Sequence, residues 1–185
     1  LKKISVQLDI LEIYHIFKTK TNFRMKKPGK NRMFRCKQTP IGRIGIETDG
    51  IHIVALHLHC DCSGESVADP LTAEAFRQLD EYFAGTRRVF DLPLKPAGTP
   101  FQLRVWEALR RIPYGKTASY GEIAAAVGCP KGPRAVGMAN NRNPIAIFIP
   151  CHRVIGANGK LVGYASGIGI KRKLLDLEAG IHAPL

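Results

Sequence analysis

The chain is 185 residues long, enough for one large or two small domains with modest cores. At 45% hydrophobic and 23% charged residues it has the composition of a soluble globular protein; its early apolar stretch, residues 4–17, is broken by Asp9, Glu12 and His15, which excludes a membrane span or a signal core there. The net charge of +13 fits a polyanionic partner.

Residues 1–32 carry nine Lys and Arg against Asp9 and Glu12, a local charge of +7, while the chain beyond them carries +6. The segment is expected to be a basic extension, either a flexible tail or the product of a misassigned start, with Met33 the better first residue. From 33 to 96 the pattern is that of an α/β domain. Residues 44–48 and 51–59 read as strands around Asp49-Gly50, the kind of two-residue turn that closes a hairpin. Asp69-Pro70 then supplies an N-cap and a first-turn proline, and Leu71, Ala75, Phe76, Leu79, Tyr82 and Phe83 recur at helical spacing up to Gly85. Residues 87–90 read as a returning strand and 92–98 as the linker.

A second domain is expected over 97–180, followed by a tail, 181–185. It opens on Thr99-Pro100-Phe101-Gln102, a capping box with proline at the first helical position, and the stripe Phe101, Val105, Leu109, Ile112 ends at Pro113. Ser119 and Glu122 form a second capping box, starting a helix through Val127 that Gly128 stops. A third helix should run from about Pro130 to Asn141, with Pro133 tolerable only in its first turn. These two helices make a helix-turn-helix, whose second helix can lie in a groove of DNA. Asn143-Pro144 follows, then the apolar run 145–149, read as a buried strand, and then Pro150-Cys151-His152-Arg153-Val154 where the chain turns out. A free thiol is only slightly ionised at neutral pH, so a reactive cysteine needs a base or a cation beside it, and His152 and Arg153 are two such groups. A last helix covers 170–179.

Five cysteines, an odd number with no secretory signal, are expected as thiols in a reducing compartment, the cytoplasm by default. His57, His59, Cys60 and Cys62 are the one constellation that suggests a metal. Cys60 and Cys62 lie two apart rather than three as in a zinc knuckle, so neither a metal nor another cofactor is expected. Cys36 and Cys129 have no assigned role.

Pro-Cys-His-Arg-Val at 150–154, Asn143-Pro144 before it, Ser119-Tyr120-Gly121-Glu122-Ile123-Ala124 upstream and Gly163-Tyr164 downstream together resemble the O6-alkylguanine-DNA alkyltransferases. The resemblance runs from about Thr99 to Gly180 and, more weakly, through Thr39-Pro40-Ile41-Gly42 and Glu81-Tyr82-Phe83-Ala84-Gly85. It implies an α+β protein: a ribonuclease H-like α/β domain, then a mostly helical, winged-helix-like domain with the helix-turn-helix and the active-site cysteine. The implied activity is DNA repair by irreversible, single-turnover transfer of an alkyl group, methyl above all, from O6-alkylguanine to Cys151. Whether O4-alkylthymine is also a substrate stays open.

Residue by residue, the resemblance makes Cys151 the nucleophile, His152 its base through a bridging water, and Glu178 the group that orients His152. Asn143 braces the active-site turn. Tyr120, assisted by Lys171, donates to the guanine ring, and Arg134 fills the place of the extruded nucleotide. Backbone groups at Val154 and the loop holding Tyr164, Ala165 and Ser166 bind the base, with Ser166 narrowing the pocket for bulky alkyl groups. The implied partner is double-stranded DNA containing O6-alkylguanine, met by a monomer in the cytoplasm, on the nucleoid if bacterial, without a membrane. Three rivals remain: a lesion sensor, which would lack the cysteine; a transcriptional regulator, which would have no use for it; and a cysteine hydrolase, which would turn over.

Overall fold

The computed structural model describes residues 32–60 and 69–181. The extension before Arg32, Cys62 and all but Ile181 of the tail lie outside the described residues. Strands β1 (Met33–Thr39), β2 (Gly42–Thr48) and β3 (Ile53–Leu58) form an antiparallel sheet in that order. Pro40 and Ile41 make the first turn, and Gly42, at φ 108°, takes the left-handed step a side chain would resist. β1 leaves little strand signal in the sequence because Arg35, Lys37 and Gln38 dilute its alternation, as befits an edge strand.

The second turn corrects the hairpin expected at Asp49-Gly50. Thr48 pairs with Ile53, so the loop is four residues long and Ile51 is exposed rather than in a strand. The Asp49 carboxylate accepts from the amides of Ile51 (3.1 Å) and His52 (2.7 Å), which keeps the chain turning for two more residues.

Helix α1 (Pro70–Phe83) starts where predicted, with Asp69 accepting from Leu71 N and Pro70 in the first turn. Its buried face, Ala75, Phe76, Leu79, Tyr82 and Phe83, covers Ile44 and Ile46 of the sheet. Residues 87–90 are not a strand. Gln78 takes both backbone groups of Asp91, and Phe90 packs edge-on against Phe148, leaving no ladder to join. Strand-like pairing occurs instead in the linker, where Leu94 bridges Ile53.

In the second half, α2 (Pro100–Arg110) and α3 (Tyr120–Ala126) both begin with complete capping boxes, Thr99 with Gln102 and Ser119 with Glu122. α4 (Pro133–Asn141) starts three residues later than expected, because Pro133 fits only the first turn and Gly132 supplies the cap. Strand β4 (Ala118–Ser119) pairs in parallel with β5 (Val154–Ile155), and α5 (Ile168–Glu178) closes the fold.

The run 145–149 is buried as expected, but it is a tight turn, not a strand. Asn143 closes it from both ends, its Nδ2 donating to Ile149 O (2.8 Å) and its Oδ1 accepting from Ile145 N (3.1 Å), and Ile147 is held at φ 74°. A β-branched residue there stores strain, on the order of 1–3 kcal/mol, that the packed surroundings must hold. Leu56 of β3 donates to Pro144 O (2.8 Å), so this turn also joins the two halves in one core.

Candidate active site around Cys151

The turn delivers Cys151 to a 3₁₀ segment, Cys151–Arg153, whose exit β5 pairs with β4 and thereby brings Tyr120, the first residue of α3, beside the thiol. Cys151 is 6% exposed. Burial raises its pKa, and the Asn143 hydrogen bond, the Lys171 ammonium and the Tyr164 hydroxyl oppose this without cancelling it. The resting group is a thiol, so reaction needs a base.

His152 is fully buried, with Nε2 2.8 Å from Glu178 Oε1. Burial alone would raise the Glu178 carboxyl, but hydrogen bonds and charge from His152 and Arg153 outweigh it and hold the pKa at about 2. An ionised carboxylate only accepts, so Nε2 is the donor. Burial also pushes His152 below the usual imidazole value, with Glu178 offsetting part of the fall. The ring is therefore neutral at pH 7 with its lone pair on Nδ1, which is buried and has no hydrogen-bond partner among the described residues.

Arg153 does not serve the thiol as the sequence suggested. Its Nε and Nη2 each lie 2.9 Å from Glu178, on Oε2 and Oε1, and Nη1 donates to Ile112 O (2.7 Å). Two further donors reach Glu178 that no local motif pairs with it: the Tyr82 hydroxyl at 2.7 Å and Gly115 N at 3.1 Å. Gly115, at φ 71°, has no room for a side chain, since a Cβ would meet Glu178 O at 2.9 Å. The only hint in the sequence was Tyr82 within the motif at 81–85.

Lys171 and Tyr120 form the other wall. Lys171 is buried and donates to Val154 O (2.5 Å) and Val162 O (2.9 Å), 5.9 Å from the Tyr120 ring centre. The Tyr120 hydroxyl donates to Val162 O as well (3.1 Å), so both residues pin the strap before Tyr164. Burial raises the Tyr120 phenol, and the charge of an ionised Cys151 would raise it further. Ala165 and Ser166 sit mid-turn, closed by Gly167 N donating to Tyr164 O (3.0 Å). Arg134 is exposed on the first turn of α4, outside the buried cluster. His57, in the one constellation that suggested a metal, pairs with Glu47 (3.4 Å).

Acidification is expected to weaken the fold in two stages of the same sign. His152 and Glu178 both have lower pKa values folded than unfolded, so the unfolded chain binds more protons in each window. Stability should fall as pH drops below 6.5, then again from 4.5 towards about 2. The Glu178 share is on the order of 3 kcal/mol. Urea midpoints measured across this range check it, and a flat profile would contradict the arrangement.

The fold and site define a mixed α/β protein with a cysteine, a histidine and a carboxylate buried together. Residues 33–96 match the ribonuclease-like domain of 6-O-methylguanine DNA methyltransferase, and residues 100–180 match its DNA binding domain. The chain belongs to that family. It is 50% identical over 151 residues to the constitutive methylated-DNA–protein-cysteine methyltransferase of Bacillus subtilis, covering 76% of this chain and 92% of that one. The Methanosarcina acetivorans protein named methylated-DNA–protein-cysteine methyltransferase is 67% identical over 105 residues, 57% of this chain and 67% of its own. Among solved structures, Mycobacterium tuberculosis OGT in complex with DNA matches with a TM-score of 0.75 at 46% identity, over 81% of this chain and 94% of that one.

Proposed function

We propose that this protein repairs DNA by taking the alkyl group of O6-alkylguanine, methyl above all, irreversibly onto Cys151. The observation that carries the reading is His152, neutral, buried and tied through Nε2 to an ionised Glu178, next in the chain to a buried thiol. The thiol proton passes to His152 Nδ1 through one water. The sulfur then attacks the methyl carbon; the S–C bond forms and the C–O6 bond breaks, its electron pair going to the guanine. Tyr120 hands the departing guanine a proton, replaced in turn by the one the thiol released. A thioether has no hydrolytic exit, so each molecule reacts once.

The guanine must leave the stack, and Arg134 takes its place in the duplex while Val154, Tyr164, Ala165 and Ser166 hold the flipped base. In this reading the first half is ribonuclease H-like, the second is winged-helix-like, and a monomer acts on duplex DNA in the cytoplasm. No described helix is long and apolar enough to cross a membrane.

Mass spectrometry after incubation with an O6-methylguanine oligonucleotide tests the reading. One methyl at Cys151, capped at one per protein, is the expected result. Tight lesion binding with no mass change would make the protein a damage sensor instead.

A further inference from the structure

The acid of the site takes a hydrogen bond from the other half of the chain. Tyr82, on the last turn of α1, is fully buried, and its hydroxyl donates to Glu178 Oε1, the same oxygen that accepts from His152 Nε2 and Arg153 Nη2. Its ring is fixed by Phe83, Phe90 and Tyr114, with centroids 5.6, 5.2 and 6.1 Å away. Phenylalanine would fill that space equally well, so packing does not account for the hydroxyl. Its contribution is a hydrogen bond to a charged oxygen, and such bonds are among the strong ones.

We infer that Tyr82 is a positioning residue for the transfer reaction: by donating to Glu178 it draws charge from the oxygen that holds His152, and so keeps the imidazole a free base. The inference rests on the reading of His152 as the base of Cys151. Its logic is one of shared charge. The more negative Oε1 is, the more it favours imidazolium, and an imidazolium cannot take the thiol proton. Arg153 neutralises the carboxylate as a whole, while Tyr82 acts on the oxygen that faces the ring.

The surrounding groups leave this contribution distinct. His152 faces Glu178 and Lys171 from α5, and Cys151 and Arg153 from its own turn. Glu178 faces His152 and Arg153 and also Tyr82 and Tyr114, with Arg88 lying beyond, 5.7 Å from the Tyr114 ring centre. Helix α2 buries only apolar side chains, Val105, Trp106 and Leu109. On the thiol side stand Tyr120 and Tyr164. Tyr82 is thus the donor to the pair that comes from the sheet-bearing half.

Tyr82→Phe keeps the ring and removes the bond. The acid limb of the methyl-transfer rate is expected to move to higher pH by about half to one unit. An NMR titration of His152 in the unreacted variant should show the same upward shift, and the shift should vanish when Glu178→Gln is the background. A lower rate at every pH with an unmoved limb and an unmoved His152 midpoint would overturn the inference and leave Tyr82 as packing. If the wild-type protein takes no methyl at all, the functional reading fails, and the His152 midpoint still decides the part Tyr82 plays.

Discussion

Cys151→Ser is expected to bind methylated duplex as the parent does and to take up no methyl. Serine is slightly smaller, and Asn143 holds the turn through Ile145 N and Ile149 O rather than through the thiol, so the turn at 144–149 keeps its shape. The chemistry does not survive. A hydroxyl is a far weaker acid than a thiol, and the imidazole that must deprotonate it sits below its usual pKa. Loss of a covalent nucleophile costs on the order of 10⁴-fold or more. Binding should be spared because the residue proposed to enter the duplex, Arg134, is exposed on the first turn of α4 and is not altered. Cys129→Ser, in the turn between α3 and α4, is the control and should transfer normally. Labelled methyl counted per protein molecule checks both, and methylation of the Cys151 variant at the parent's rate would place the acceptor elsewhere.

Arg153→Met should cost the most stability of any single change at the site. The Arg153 side chain is 8% exposed, makes two 2.9 Å contacts to Glu178, donates to Ile112 O and lies 5.9 Å from the Tyr114 ring centre. Methionine replaces the stem and leaves a buried carboxylate without its counter-charge. Removing one partner of such a pair costs about 3–5 kcal/mol. For a chain of this size that is a fall in Tm of roughly 6–20 °C. Adding Glu178→Gln should restore part of the loss, since the unpaired charge then disappears. A thermal melt of the two variants reads the difference; an unchanged Tm for Arg153→Met would mean that Tyr82, Gly115 and His152 suffice to hold the carboxylate.

The sequence is legible where the physics is local. Asp69-Pro70, Thr99 with Gln102 and Ser119 with Glu122 each satisfy helix-end amides from within four residues, and all three helices start there. The sequence is ambiguous where one pattern serves two shapes. The isoleucines at 145, 147 and 149 are buried whether the chain is extended or turned, and what turns it is the side chain of Asn143. Residues 87–90 look like a strand, yet Gln78, more than a helical turn back in α1, takes the backbone of Asp91. At the site, Cys151 and His152 were legible from their motif. The true partner of Arg153 and the arrival of Tyr82, 96 residues before Glu178, depend on how the halves meet, which no local pattern encodes.

The seam between Leu56 and Pro144 bears on modularity. Two regions can be told apart along the sequence, but Leu56, Phe90 and Tyr82 from the first lie against Pro144, Phe148 and Glu178 from the second. The halves are therefore not interchangeable cassettes. A chimaera that replaces the first half alone alters the reactive end of the molecule even when every residue near Cys151 is left untouched.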